Sequence, residues 1–258
     1  MSLKNNTVVI TGGSKGIGEG CATIFHREGA RVALLDIDEN EGKALARKLG
    51  ERAMFVKCDV ASAAQVQSAM NRVADEFGSI DFLINNAGIM HYASVTNTAE
   101  EDWDRVMDVN VKGPYLCSKF AIPYMQKAGS GVVVNLGSIQ SFVTQEEGAA
   151  YSTSKTALLG LTRSIAIDYA PHIRCVAICP GVIDTPLNEK AFNASPDPDQ
   201  VRRDSIDLHL VRRMGEKEEI GELAAFLCSD KGSFINGQPI RIDGGIGIRI
   251  IGSKTPES

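Results

Sequence analysis

Six short runs rich in Val, Ile and Leu recur along the chain, each followed by a stretch long enough for a helix, and this alternation limits the fold more than any other feature. The runs are Thr7 to Thr11, Arg31 to Asp36, Ala53 to Asp59, Ile80 to Asn85, Gly131 to Leu136 and Ile173 to Cys179, with a seventh candidate at Gln238 to Ile242. The six lack clean apolar–polar alternation, as strands covered on both faces must. Helices are expected over Gly18 to Glu28, Asn40 to Leu49, Ala63 to Phe77, Glu100 to Lys127 and Ala149 to Tyr169. The fourth contains Pro114 and Pro123, which predicts a kink or a break. Glu219 to Cys228 sets Ile220, Leu223, Ala224 and Leu227 on one stripe, the spacing of a core-facing helix. Repeated strand–helix units close through right-handed crossovers, so the expected fold is α/β: one doubly wound, mostly parallel sheet with helices on both faces. The 258 residues contain no linker and no low-complexity segment, and a single domain over 1–258 is expected.

Two segments break the rhythm. Residues 185–214 hold Pro186, Pro196 and Pro198 among many charges and show no strand, which marks a substrate loop or lid beyond a strand end. The tail, 245–258, alternates Ile246, Ile248 and Ile250 with Gly and Arg, and is expected to cover a cleft or a neighbouring subunit.

Composition removes several function classes. A net charge of -5 without a basic block argues against a nucleic-acid partner. No run approaches the ~18 apolar residues of a membrane span. The first strand follows too soon after Met1 for a signal peptide, so a soluble cytosolic protein is expected. Cys21, Cys58, Cys117, Cys175, Cys179 and Cys228 lie in mostly apolar surroundings and read as buried free thiols. Cys175 and Cys179 would stand roughly 13 Å apart along a strand, too far to share a metal. No histidine pair has ligand spacing, and no structural metal is expected.

The first run ends in Thr11 and passes into Gly12-Gly13-Ser14-Lys15-Gly16-Ile17-Gly18 and then a helix. Strand, glycine turn and helix N-terminus together make a cradle for a pyrophosphate, because glycine lets the backbone come close and the helix end favours negative charge. Asp36 closes the second run, where a carboxylate can accept from both ribose hydroxyls and repels a 2'-phosphate. Lys15 pulls the other way, but it is long and can turn to solvent, and Ile37 adds no positive charge. NAD is therefore expected as cofactor, ahead of NADP.

Ser138 follows the fifth run, and thirteen residues later stand Tyr151 and Lys155, one helical turn apart and about 6 Å along one face. A free phenol holds its proton to about pH 10, and a neighbouring ammonium is expected to lower that value and make Tyr151 a base.

Taken in order, Thr-Gly-Gly-Ser-Lys-Gly-Ile-Gly at 11–18, Asn85-Asn86-Ala87-Gly88, Asn110, Ser138, Tyr151 with Lys155, Pro180-Gly181 and Asp243-Gly244-Gly245 resemble the short-chain dehydrogenase/reductase family over nearly the whole chain. The resemblance implies a Rossmann-type domain with Asn110, Ser138, Tyr151 and Lys155 as catalytic tetrad, Asn110 holding a water that links Lys155 to solvent. It implies that Gly12, Ser14, Lys15, Gly16, Ile17, Gly18, Asp36, Ile37, Asp59, Val60, Asn86, Ala87, Gly88, Tyr151, Lys155, Pro180, Gly181, Ile183 and Thr185 bind the cofactor. It also implies a homotetramer, with Glu100 to Lys127 suited to a subunit interface.

The substrate pocket is expected from residues beyond the strand ends: Met90, His91, Ser138, Gln140, Gln145, Tyr151, Val182 and Asn188, together with Phe142 and Thr144. Neutral donors and acceptors in this set suit a polyhydroxylated small molecule. Ser118 to Met125, Asp168 to Pro171, Ile183 to Leu187 and the tail's Ile248-Arg249 and Thr255-Pro256-Glu257 resemble aldose 1-dehydrogenases of the same family. The expected reaction is then oxidation of an aldose at C1 to its lactone. The subgroup can carry an acid after Asn-Ala-Gly-Ile, where this chain has Met90. Reduction of 3-oxoacyl groups or ketones, and an NAD(H)-binding scaffold without chemistry, are the alternative readings.

Overall fold

The computed structural model describes residues 3–248. Seven parallel strands form one sheet in the order β3-β2-β1-β4-β5-β6-β7. They are β1 (Thr7–Thr11), β2 (Arg31–Asp36), β3 (Ala53–Lys57), β4 (Phe82–Asn85), β5 (Gly131–Leu136), β6 (Ile173–Pro180) and β7 (Pro239–Ile242). The chain runs outward from β1 to β3, then returns to β4 on the other side of β1. In such a sheet a crevice opens at the carboxyl ends, where the winding direction changes.

Successive residues of each strand enter opposite cores. Val8, Ile10, Val32, Leu34, Ile84 and Val134 pack under α1 (Gly16–Arg27), α2 (Glu39–Leu49) and α9 (Lys217–Cys228). Val9, Ala33, Leu35, Leu83 and Val133 pack under α3 (Ala63–Phe77), α5 (Gly113–Ala128) and α6 (Ala149–Asp168). This two-sided burial explains why the strands read as continuous apolar runs. All six cysteines are buried and free.

The sequence places most boundaries within a residue or two, and the structure adds detail to three features. The expected helix Glu100 to Lys127 is two helices, α4 (Glu100–Met107) and α5, joined by a π-helical turn at Asp108–Lys112. The break falls in the turn just before Pro114, which stands in the first turn of α5 and cannot bond back to the Asn110 carbonyl, as the proline predicts; Pro123 stays inside α5, and the wider turn carries Asn110 inward. Within 185–214 the structure has two helices, α7 (Pro186–Asn193) and α8 (Pro198–Leu208), each capped by the residue before its proline, Thr185 and Asp197. Thr-Pro and Asp-Pro are helix-start signals that the proline count obscured. Of the tail, Ile246–Ile248 form a short 3-10 turn, with Gly247 packed on Ile139; 249–258, including Ile250, Arg249 and Thr255-Pro256-Glu257, lie outside the described residues. Among the described residues no helix is long and apolar enough to cross a membrane.

Candidate active site

The glycine loop leaves β1 with Gly12 at φ 59 and Gly16 at φ 54, a region that L side chains rarely adopt. Close approach adds a second constraint: a Cβ on Gly12 would stand 2.9 Å from the Ala87 Cα, and one on Gly18 would stand 2.1 Å from the Gly12 oxygen. Asn86 ties this loop to the end of β4, its Nδ2 donating to the carbonyls of Thr11 (3.0 Å) and Gly12 (2.9 Å). Thr11 Oγ1, absent from the sequence expectations, accepts from the N–H groups of Asn86 and Ala87, both at 3.0 Å.

At the end of β2 the two Asp36 oxygens accept from the N–H groups of Ser14 and Asp38, each at 3.0 Å. Each keeps lone-pair capacity for a ribose hydroxyl. Lys15 is drawn to Asp38 at 2.8 Å and Glu41 at 3.8 Å, so two acids offset its charge. The Asp38 carboxylate in turn raises the Lys15 pKa. Ser14 Oγ is buried without a partner beside this acid. Ile37 is 68% exposed, Val60 is buried, and Asp59 is half-buried with a carboxylate oxygen accepting from Ala61 N–H at 2.9 Å. A narrow glycine cradle, an unmet hydroxyl and an acid with free lone pairs fit a dinucleotide.

The other half of the site lies beyond β5. Ser138 is nearly buried; its hydroxyl accepts from the Gln140 N–H at 3.1 Å and lies close enough to the Tyr151 phenol to lower its pKa. Lys155, also buried, donates from Nζ to the Leu136 carbonyl at 2.7 Å and stands 5.7 Å from the centre of the Tyr151 ring. Asn110 is fully buried: Oδ1 accepts from Ile89 N–H at 2.8 Å, and Nδ2 donates to the Ile89 carbonyl (2.9 Å) and Ser154 Oγ (3.0 Å). A Cβ on Gly88 would touch both Asn110 Oδ1 and Lys155 Nζ at 3.4 Å, so Asn110 and Lys155 meet beside this glycine. Two serines missed by sequence reasoning connect the tetrad residues. Ser154 donates to the Tyr151 carbonyl at 2.7 Å, and Ser141 accepts from Ser138 N–H (3.2 Å) while donating to the Lys155 carbonyl (2.9 Å). The only available signal for Ser154 was its place between Tyr151 and Lys155.

The electrostatics correct one expectation. Lys155 is expected to lower the Tyr151 pKa; instead burial, helped by the neighbouring Tyr92, pushes the phenol above its usual 10, and the nearby Ser138 hydroxyl opposes this without prevailing. Burial also brings the Lys155 amine down to about 8. Both groups pay for leaving water, and the ammonium is turned toward the Leu136 carbonyl.

Of the expected substrate residues, Met90 and Gln140 gather near Tyr151 through Tyr92, which the sequence did not single out. The Tyr92 ring lies 6.4 Å from that of Tyr151, its hydroxyl is 3.2 Å from Met90 Sδ, and the Gln140 side chain is close enough to oppose the rise that burial causes in its pKa. Gln140 Oε1 is buried without a partner. His91 lies 3.8 Å from Asp102. Gln145 is exposed in the turn before α6, and Asn188 uses its amide on the Ile183 carbonyl at 2.7 Å. Val182 donates its N–H to His209. Pro180 ends β6, Gly181 N–H donates to the Ile242 carbonyl at 3.1 Å, and buried Ile183 leads to Thr185, the α7 cap. Among the described residues no cluster of three His, Cys, Asp or Glu is placed to hold a metal.

A dinucleotide cradle facing a serine, a tyrosine and a lysine defines an oxidoreductase. A family model described as enoyl-(acyl carrier protein) reductase matches residues 12–247. The chain belongs to the short-chain dehydrogenase/reductase family. It is 40% identical over 249 residues, 95% of this chain and 98% of the other, to an uncharacterized oxidoreductase of Thermotoga maritima. A ligand-free aldohexose dehydrogenase of Thermoplasma acidophilum superposes with a TM-score of 0.90 at 39% identity, covering 99% of this chain and 98% of that one. A 3-ketoacyl-(acyl-carrier-protein) reductase of Brucella melitensis in complex with NADH gives 0.89 at 32% identity, covering 96% and 100%.

Proposed function

We propose that this chain, as one catalytic domain over 1–258, oxidises the anomeric hydroxyl of an aldose to a lactone with NAD. The observation that carries the reading is the buried Tyr151–Lys155 pair beyond β5, with the Lys155 Nζ 5.7 Å from the centre of the Tyr151 ring and Ser138 beside the phenol, next to a glycine loop whose acid, Asp36, is held by main-chain N–H groups. Ser138 and Tyr151 hold the reacting oxygen between them, and Tyr151, once its own phenolic proton has passed to solvent, takes the proton of the substrate hydroxyl. Lys155 and the Asn110–Ser154 pair keep the phenol in place from behind. A nicotinamide dinucleotide held by the glycine loop and Asp36 would supply the hydride acceptor for the substrate carbon and a positive charge that favours the phenolate. The unmet Gln140 oxygen and the hydroxyl of Tyr92 favour a substrate with several hydroxyls, and the likeness to an aldohexose dehydrogenase supports the same class.

One observation favours a second reading. A phenol that burial keeps protonated is ready to donate, which suits reduction of a ketone or 3-oxoacyl group. The test is a spectrophotometric screen of aldoses and secondary alcohols with NAD and NADP, and of ketones and 3-oxoacyl thioesters with the reduced cofactors. Turnover of carbonyls but of no sugar replaces the first reading with the second. Dinucleotide binding without turnover of any substrate, in the wild type and Tyr151→Phe alike, leaves a scaffold. We also place the protein in the cytoplasm as a homotetramer. The half-exposed Trp103 and Tyr115 on α4 and α5 support an interface there, which sedimentation would test.

A further inference from the structure

His209 caps the C-terminal end of α8 and is 2% exposed. Its Nδ1 lies 2.7 Å from the Ser205 carbonyl oxygen, and its Nε2 lies 3.2 Å from the Val182 nitrogen. A carbonyl only accepts and an amide N–H only donates, so one tautomer serves both contacts: the proton on Nδ1, the lone pair on Nε2. The backbone around the ring leaves no room for other side chains. A Cβ on Gly181 would come 2.9 Å from Nε2, and one on Gly244 would come 2.9 Å from Cδ2. Leu210 N–H then donates to the Gly244 carbonyl at 2.8 Å. One imidazole thus joins the end of α8 to the exits of β6 and β7.

The segment it grips, 181–185, crosses the cleft. It starts where β6 emerges beside the strand that presents Ser138, with Leu136 in register with Ile178. It ends against the glycine loop, where a Cβ on Gly16 would lie 3.3 Å from Thr185. Thr185 also caps α7, and α7 rests on α8 through Arg202 over the Phe192 ring at 5.5 Å. We propose that His209 is a positioning residue: through Val182 N–H it sets the height of 181–185 over the nicotinamide end of the dinucleotide site, and it makes that height depend on how α7 and α8 are seated. The proposal rests on the reading of this cleft as a dinucleotide site.

The test uses the full chain as wild type, His209→Leu and His209→Gln, with amide hydrogen exchange, titration with NADH and NADPH by fluorescence, and steady-state kinetics. In His209→Leu, exchange over 181–185 and 198–211 should accelerate together, and the affinity for the reduced cofactor should fall, each about tenfold, the worth of one unmet buried donor. The cofactor KM should rise while kcat moves by less than about threefold. His209→Gln, whose side-chain oxygen can accept from Val182, should recover most of the affinity. Unchanged cofactor affinity in His209→Leu, faster exchange in only one of the two segments, or a lowered melting temperature with normal cofactor KM overturns the proposal. Should neither variant fold, the wild type decides: a protected Val182 amide that slows further with NADH supports it, and an unprotected one overturns it. A wild type that binds neither NADH nor NADPH instead refutes the dinucleotide reading, which the titration shows separately.

Discussion

Replacing Asn110 by Ala tests whether the π-helical turn is the hinge on which the catalytic cluster is assembled. The side chain makes three hydrogen bonds from a fully buried position, two to the Ile89 main chain and one to Ser154. Ser154 keeps its own bond to the Tyr151 carbonyl, so its loss is small. The Ile89 N–H and carbonyl are left unmet, at about 1–3 kcal/mol each, and Ile89 is only half-buried, which lets water offset part of this. The expected loss is therefore about 2–4 kcal/mol. Urea denaturation followed by far-ultraviolet circular dichroism, at fixed protein concentration, measures it. Because the same bonds locate Gly88 and the start of α6, kcat/KM should fall by more than about tenfold in the folded variant. A native-like spectrum with a loss below about 0.5 kcal/mol and ordinary turnover would refute the assignment of the turn to this clasp.

Other consequences are as direct. Unfolded Lys155 keeps its proton to the usual 10.5, whereas the folded residue loses it at about 8, so the folded state binds fewer protons between these values and stability rises with pH across that window. Below the window the buried charge costs about 3 kcal/mol; Lys155→Met removes it, leaves the Leu136 carbonyl unmet, and should gain about 1–2 kcal/mol at pH 7 that fades by pH 10, while turnover is lost, as urea melts at the two pH values and an activity assay would show. Asp36→Ser removes the charge that faces a 2'-phosphate, so the ratio of kcat/KM for NADP to that for NAD should rise about tenfold or more, and an unchanged ratio contradicts the role of the acid. Ending the chain after Ile248 should raise the substrate KM or change the assembly seen in sedimentation; neither change means the tail has no such role.

The frame of this protein was legible in its sequence because it depends on local pattern. Doubly buried strands must be apolar throughout, a phosphate cradle needs glycine where φ is positive, and Tyr151 and Lys155 share a face through helical period alone. What lies in those patterns is which residue types stand at which strand end. Tertiary structure alone decided how they meet. Pro114 signals a break near Asp108–Lys112, but that the turn there is π-helical and buries Asn110 is decided by bonds to Ile89, some twenty residues earlier. The prolines of 185–214 start helices because Thr185 and Asp197 cap them, and Asn188 is spent on the main chain. The direction of the Tyr151 shift was beyond sequence reasoning for the same cause: a neighbour's charge can be read from spacing, but desolvation depends on everything packed around the pair.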